Sequence, residues 1–289
     1  MNSLAAPVAL AWHHLQFQIP ATWEIIAYKK NCGDGQLVLA DRSGETLQAY
    51  WRTVAGAPKV PALLQHLVEE NFPNRFSDSK IRACLKSVAG WDLFTPPTPD
   101  LPVFAGRYLP DERALLEVTL PPHPDRTPAL VPELLQSYRL NNGPERHWAA
   151  FGIDLHVPAD YELDEVRPWP AAQVLRFEHR RGYSITAHRY GMASRQLAHN
   201  TLESFFARVK DRSLRLYKKR DFLKDNRYPG VELGYGTRGT GGITALLSPR
   251  WLGTVWVWHC EEQQRIYALD QHAPPKKALP DLIEKFQTP

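Results

Sequence analysis

The sequence predicts an α+β fold built twice in tandem: two α/β sandwich domains, each a mostly antiparallel sheet with two packed helices. Three observations predict it. Two stretches 138 positions apart nearly coincide, Leu15-Gln-Phe-Gln-Ile-Pro-Ala-Thr-Trp-Glu-Ile25 and Ile153-Asp-Leu-His-Val-Pro-Ala-Asp-Tyr-Glu-Leu163. Their apolar residues alternate with polar ones, the period of a strand with one buried face rather than the uniform apolar run of a parallel core strand. Patterns of helical period then follow in both halves at a matching offset.

Taken in order, each copy opens with that strand and a turn at Pro20 or Pro158. Gly44 and Gly182, again 138 apart, sit between alternating runs: Leu37 to Asp41 then Thr46 to Trp51, and Val174 to His179 then Tyr183 to Tyr190. Glycine between two such runs is a hairpin signal. Pro61, suited to a first helical turn, opens a helix running to Phe72. Its counterpart carries Ala198, Leu202, Phe205, Phe206 and Val209 as one apolar stripe at helical spacing. Gly90-Trp-Asp-Leu93 and Gly230-Val-Glu-Leu233 come next, 140 apart. Further strands run from Arg113 to Leu120, from Gly253 to Cys260 and from Arg265 to Leu269. Pro132-Glu-Leu-Leu-Gln-Ser-Tyr138 and Pro280-Asp-Leu-Ile-Glu-Lys-Phe286, 148 apart, each predict a closing helix. The domains are therefore 1–140 and 148–289, with a linker over 141–147.

This order, with its strand, Pro-x-x-aromatic-Glu turn, hairpin and helix, resembles the Mog1/PsbP-like fold. The resemblance implies a tandem of two such domains joined near Asn141-Asn-Gly-Pro-Glu145. Members of that family are mostly accessory and binding proteins, some assisting photosystem assembly and some engaging a small GTPase. The resemblance thus implies a partner-binding role, and brings no catalytic residue set with it.

The 289 residues, 43% hydrophobic and 23% charged, suit two ordinary globular domains. No stretch reaches the roughly 18 uncharged apolar residues of a membrane span, and the start lacks a signal-peptide pattern. Three scattered cysteines, Cys32, Cys84 and Cys260, argue against a disulfide framework. A cytoplasmic protein is expected. The net charge of +4 is uneven: residues 1–145 carry 13 Lys/Arg and 15 Asp/Glu, residues 146–289 carry 22 and 16.

Chemistry is sparse. Gly234-Tyr-Gly-Thr-Arg-Gly239 has the spelling of a dinucleotide loop, but Gly241, Gly242 and Pro249 follow where a helix must open. A glycine-rich hairpin is the reading, with Arg238 free to hold an anionic group. From Arg208 to Arg227 nine basic residues, among them Arg215, Lys218, Lys219 and Arg220, face three acids. Such a stretch serves either an acidic partner or the defence of a sheet edge, and nucleic acid is the weaker alternative. Thr254 to Cys260 alternates so that Val255, Val257 and His259 share one face and Trp256, Trp258 and Cys260 the other. Trp256, Trp258 and His259 are candidate binding residues. Cys260 points away from His259, which cannot activate it.

The eleven histidines show no helical metal-binding spacing, although His179 and His188 could meet across the Gly182 hairpin. No metal site, cofactor or catalytic residue is expected. The reading is a non-enzymatic cytoplasmic binding or adaptor protein whose partner is another protein. An enzyme with a site assembled between domains, and binding of an anionic partner through 208–227, are the alternatives.

Overall fold

The computed structural model describes residues 6–29, 33–73, 75–209, 223–224, 231–238, 251–273 and 282–287, with the backbone alone described at 223–224, 231–238, 251–254 and 287. The chain divides into two compact units, Met1–Asn141 and Asn142–Pro289.

In the first unit, β1 (Val8–Trp12) and β2 (Leu15–Ile19) form a hairpin turning at His13, and β10 (Arg139–Leu140) joins the other side of β2. A meander of β3 (Glu24–Tyr28), β4 (Gly35–Asp41) and β5 (Gly44–Thr53) follows. Then come α1 (Val60–Asn71), α2 (Asp78–Cys84), β6 (Leu85–Val88), β7 (Trp91–Phe94), β8 (Val103–Leu109), β9 (Ala114–Leu120) and α3 (Leu130–Ser137). The sheet order is β3-β4-β5-β9-β8-β7-β6, antiparallel throughout. Gly44 supplies the positive φ, 137°, that the β4–β5 turn needs.

Helix α1 buries Val60, Leu64 and Val68, one residue per turn along a single stripe, against Phe94, Phe104 and Leu115 of the sheet. Each such side chain contributes roughly 1.5–3 kcal/mol by leaving water. The approach is close because Gly106 lacks a side chain: a Cβ there would lie 2.5 Å from Val60. On the other face Phe17 and Tyr138 meet Trp91, and His13 meets Trp51. The unit is thus three layers: α1 and α2, the sheet, then the β1–β2 hairpin with α3. Its proline-rich connectors are tied by Arg126, whose guanidinium donates to the carbonyls of Leu120, Pro121, Pro99 and Leu101. His123 clips the same region to the β4–β5 turn, its Nε2 3.0 Å from Asp41 and its Nδ1 accepting the Asp125 N–H.

The second unit pairs β11 (Glu145–Ala150) with β12 (Ile153–Pro158), and β20 (Phe286–Gln287) with β12. Its large sheet comprises β13 (Tyr161–Trp169), β14 (Ala172–His179), β15 (Ser184–Tyr190), β16 (Leu223–Lys224), β17 (Val231–Arg238), β18 (Trp251–Cys260) and β19 (Arg265–Ala273). The order is β13-β14-β15-β19-β18-β17-β16, the same path as in the first unit. Helices α4 (Ala193–Leu197) and α5 (Leu202–Val209) come between β15 and β16. Phe205 and Phe206 of α5 pack on Tyr190, Val255, Val257, Ile266 and Ala268.

The structure departs from the sequence expectation in five places. The two helical layers do not share one sheet face, since α3 packs on β2 and not beside α1. Residues 145–147, expected as linker, begin β11, and β1 was not anticipated because Val8 to Trp12 lacks alternation. The stripe from Ala198 is interrupted: Thr201 Oγ1 accepts the Ser204 N–H and starts α5 at Leu202, leaving Ala198 outside it. The closing helix expected over 280–286 is a 3-10 turn at Leu282–Lys285 followed by β20, which places Phe286 against Trp258 and Tyr267. Among the described residues no helix is long and apolar enough to cross a membrane.

Candidate functional site

Alternation along β15 turns Ser184, Thr186, His188 and Tyr190 to one face, the face covered by α5. Antiparallel pairing sets Asp270 opposite Thr186 and His272 opposite Ser184. Val174 and Arg176 of β14, and Glu165, Arg167 and Trp169 of β13, extend the floor. Phe205, Phe206, Arg208 and Val209 of α5 form the wall of a cavity of about 780 Å³. That volume suits a small organic molecule.

The floor is polar and its residues are largely buried, with Asp270 only 3% exposed and Ser184 4%. Asp270 Oδ2 lies 2.8 Å from His188 Nε2, and its Oδ1 lies 3.5 Å from His272 Nε2. An ionised Asp270 makes His188 Nε2 the donor, so in the neutral ring Nδ1 accepts from the Tyr190 hydroxyl 3.2 Å away. Burial, then the nearby Asp270 charge, push the Tyr190 hydroxyl's pKa up, keeping it a donor. The hydroxyls of Ser184 and Thr186 make no hydrogen bond to any described residue. These hydroxyls face the cavity, where a polar group of a ligand or water can meet them.

At the rim, Arg167 is paired with Glu165 and Arg176 with Asp164 and Glu178. Arg208 meets no carboxylate among the described residues; its guanidinium lies 5.7 Å from the Phe205 ring centre. The rim therefore carries an uncompensated cation above an apolar wall.

The residues singled out by sequence are elsewhere. Trp256 is buried and Trp258 stacks on Tyr267 at 5.5 Å, both on the sheet face away from α5, so they fill core and line no groove. His259 shares the Val255 and Val257 face, with its Nε2 buried and without a hydrogen-bond partner among the described residues. It does not line the cavity. Cys260 is a half-buried free thiol. Gly234 and Gly236 lie within β17, opposite Val255 and Gly253, so this part of the glycine motif is strand, while Gly239 and the segment after it lie outside the described residues. The Arg238 side chain, and Arg215, Lys218, Lys219 and Arg220, lie outside the described residues. His179 and His188 are not brought together: His179 lies 3.2 Å from Asp160, whereas His188 takes Asp270.

The site that sequence reasoning missed had a local trace, the polar face of Ser184-Ile-Thr-Ala-His-Arg-Tyr190 and of Asp270-Gln-His272. Recognising it required knowing that β15 pairs with β19, more than seventy residues later. The chain matches no protein-family model, and no curated protein matches it.

Proposed function

We propose that this chain is a binding protein, and that its second unit holds a small amphipathic molecule in the cavity beneath α5. The observation that carries the reading is the polar floor of Ser184, Thr186, His188 and Asp270 lining a cavity below an apolar wall. The molecule's hydrogen-bonding group meets the floor, its apolar body lies along Phe205, Phe206 and Val209, and a negative charge sits near Arg208. The common strand order of the two units supports an origin by duplication of one Mog1/PsbP-like domain. In that reading the first unit is a scaffold and the second has specialised. The basic residues beyond Arg208 suit an acidic protein partner, and the cytoplasm is the compartment we assign.

Anilinonaphthalene sulfonate, an apolar body bearing an anion, tests the pocket. Its fluorescence should rise on saturable binding of one probe per native chain. Ala172→Trp, which fills the cavity, should abolish this, and Arg208→Glu should weaken it. Undiminished binding in Ala172→Trp would overturn the proposal.

One observation favours a second reading, proton-transfer catalysis in the same cavity: the Tyr190–His188–Asp270 line has the order of a hydroxyl activated by an oriented imidazole. Turnover of a chromogenic ester, lost in His188→Gln while probe binding persists, would support it.

A further inference from the structure

A second cluster of metal-ligating groups lies away from the cavity, on the β11–β12 hairpin. His147 and His156 stand directly opposite one another in the strand register, and Asp154 is the next residue of β12 on the same face. The two imidazole rings are parallel within 2°, with centres 4.4 Å apart. Asp154 Oδ1 lies 2.8 Å from His147 Nε2. One ligand atom from each of the three residues falls within 4.8 Å of the other two. We propose that His147, Asp154 and His156 form a binding site for a divalent metal ion of the zinc class.

The chemistry follows from the donors. Bonds of about 2.0–2.2 Å from imidazole nitrogen or carboxylate oxygen to zinc put neighbouring ligand atoms roughly 3–3.5 Å apart. Six consecutive residue pairs hold the backbone of the hairpin, so adjustment to that spacing falls to side-chain rotation. Two imidazoles and one carboxylate favour zinc, cobalt, nickel or copper over magnesium or calcium, which prefer all-oxygen sets. Glu145, the other acid on this face of β11, is engaged by Lys285. Three protein ligands leave at least one coordination position for water or another small ligand.

The other clusters of this kind on the chain read differently. In the group of Asp41, His123 and Asp125 both ring nitrogens of His123 are already used within the protein. At Asp270 the two histidines take opposite oxygens of one carboxylate. His156, by contrast, makes no side-chain hydrogen bond to any described residue, so a lone pair is available.

The test uses the full chain stripped by a chelator and titrated with zinc in equilibrium dialysis, with cobalt as an optical probe. We expect one strong zinc equivalent per chain, and for cobalt the visible bands and X-ray absorption of a site with imidazole nitrogen and oxygen ligands and no sulfur. His156→Ala and Asp154→Asn should each weaken binding at least tenfold, the lower end of what losing even a supporting contact costs a metal site. His123→Gln should leave it unchanged. Failure of the wild-type chain to take up one equivalent would overturn the proposal whether or not the variants fold. So would wild-type affinity in both His156→Ala and Asp154→Asn.

Discussion

The same patch of sheet has opposite characters in the two units. In the first, Gln48, Tyr50 and Arg52 of β5 stand on the α1 side, with Tyr50 opposite Glu117 and Gln48 opposite Thr119. In the second, Thr186, His188 and Tyr190 stand 138 positions further on, with Asp270 opposite Thr186 as Thr119 is opposite Gln48. Tyr50 is 37% exposed, whereas the side chain of His188 at the matching position is 13% exposed. The first patch is solvated, with Arg52 and Glu117 3.4 Å apart and Gln36 donating to Tyr50, contacts of the kind water replaces cheaply. The second is roofed by α5. Helix α1 lies over β7, β8 and β9, whereas α5 reaches Tyr190 on β15, and that shift encloses polar groups. Polarity is unremarkable on an open sheet and purposeful under a roof.

Substitutions at matched positions can break this comparison. Asp270→Ala strips two histidines of their shared carboxylate and should lower unfolding free energy by about 1–3 kcal/mol, the range for leaving a buried donor unmet. Thr119→Ala at the matching point should cost no more than about 1 kcal/mol. Equal losses in urea melts of the full chain would show that the two patches are alike. Tyr190→Phe removes one buried hydroxyl and should cost about 1 kcal/mol; Tyr50→Phe, on the open patch although not the position matching Tyr190, should cost less.

A pH scan sharpens the contrast at another matched pair, Trp23 and Tyr161. Burial, then the charge of Asp160, push the Tyr161 hydroxyl from its ordinary 10 up to about 12. The unfolded chain releases that proton first, so the contribution is complete below pH 10 and is lost as pH rises through about 12. Tyr161→Phe should make the alkaline fall in stability shallower, and an unchanged slope would reject the assignment. The smallest effect is expected at Arg52→Ala, within about 0.5 kcal/mol of wild type by the same melts.

The frame of each unit was legible because alternation and turn glycines are local signals. The Gly44 and Gly182 hairpins, the stripe of α1 and the strand at Trp91 appear where the pattern put them. What failed were segments whose state is decided by distant neighbours. Leu282 to Phe286 carries a helix-like pattern, yet pairing with Leu155 makes its end a strand. The linker signal of Asn141 to Pro144 hid the strand that begins at Glu145. The cavity was illegible for the same reason: nothing near Thr186 announces Asp270. His147 and His156 escaped because they lie nine residues apart and meet only once the β11–β12 hairpin turns at Phe151 and Gly152.

Both large sheets share an irregularity at the same relative point. Pairing with the next strand slips between Ile25 and Ala27 in β3, and between Leu163 and Glu165 in β13. The extra residues are Ile26 and Asp164, 138 apart, and both strands end their sheets. An end strand offers open backbone to any passing chain, and a bulge spoils the flat register such a partner needs. The second bulge adds a negative charge to that obstacle, while the first presents Ile26, 56% exposed. The two units therefore differ in colloidal behaviour as well as in ligand chemistry: at high concentration the β3 edge, not the β13 edge, is where self-association should start.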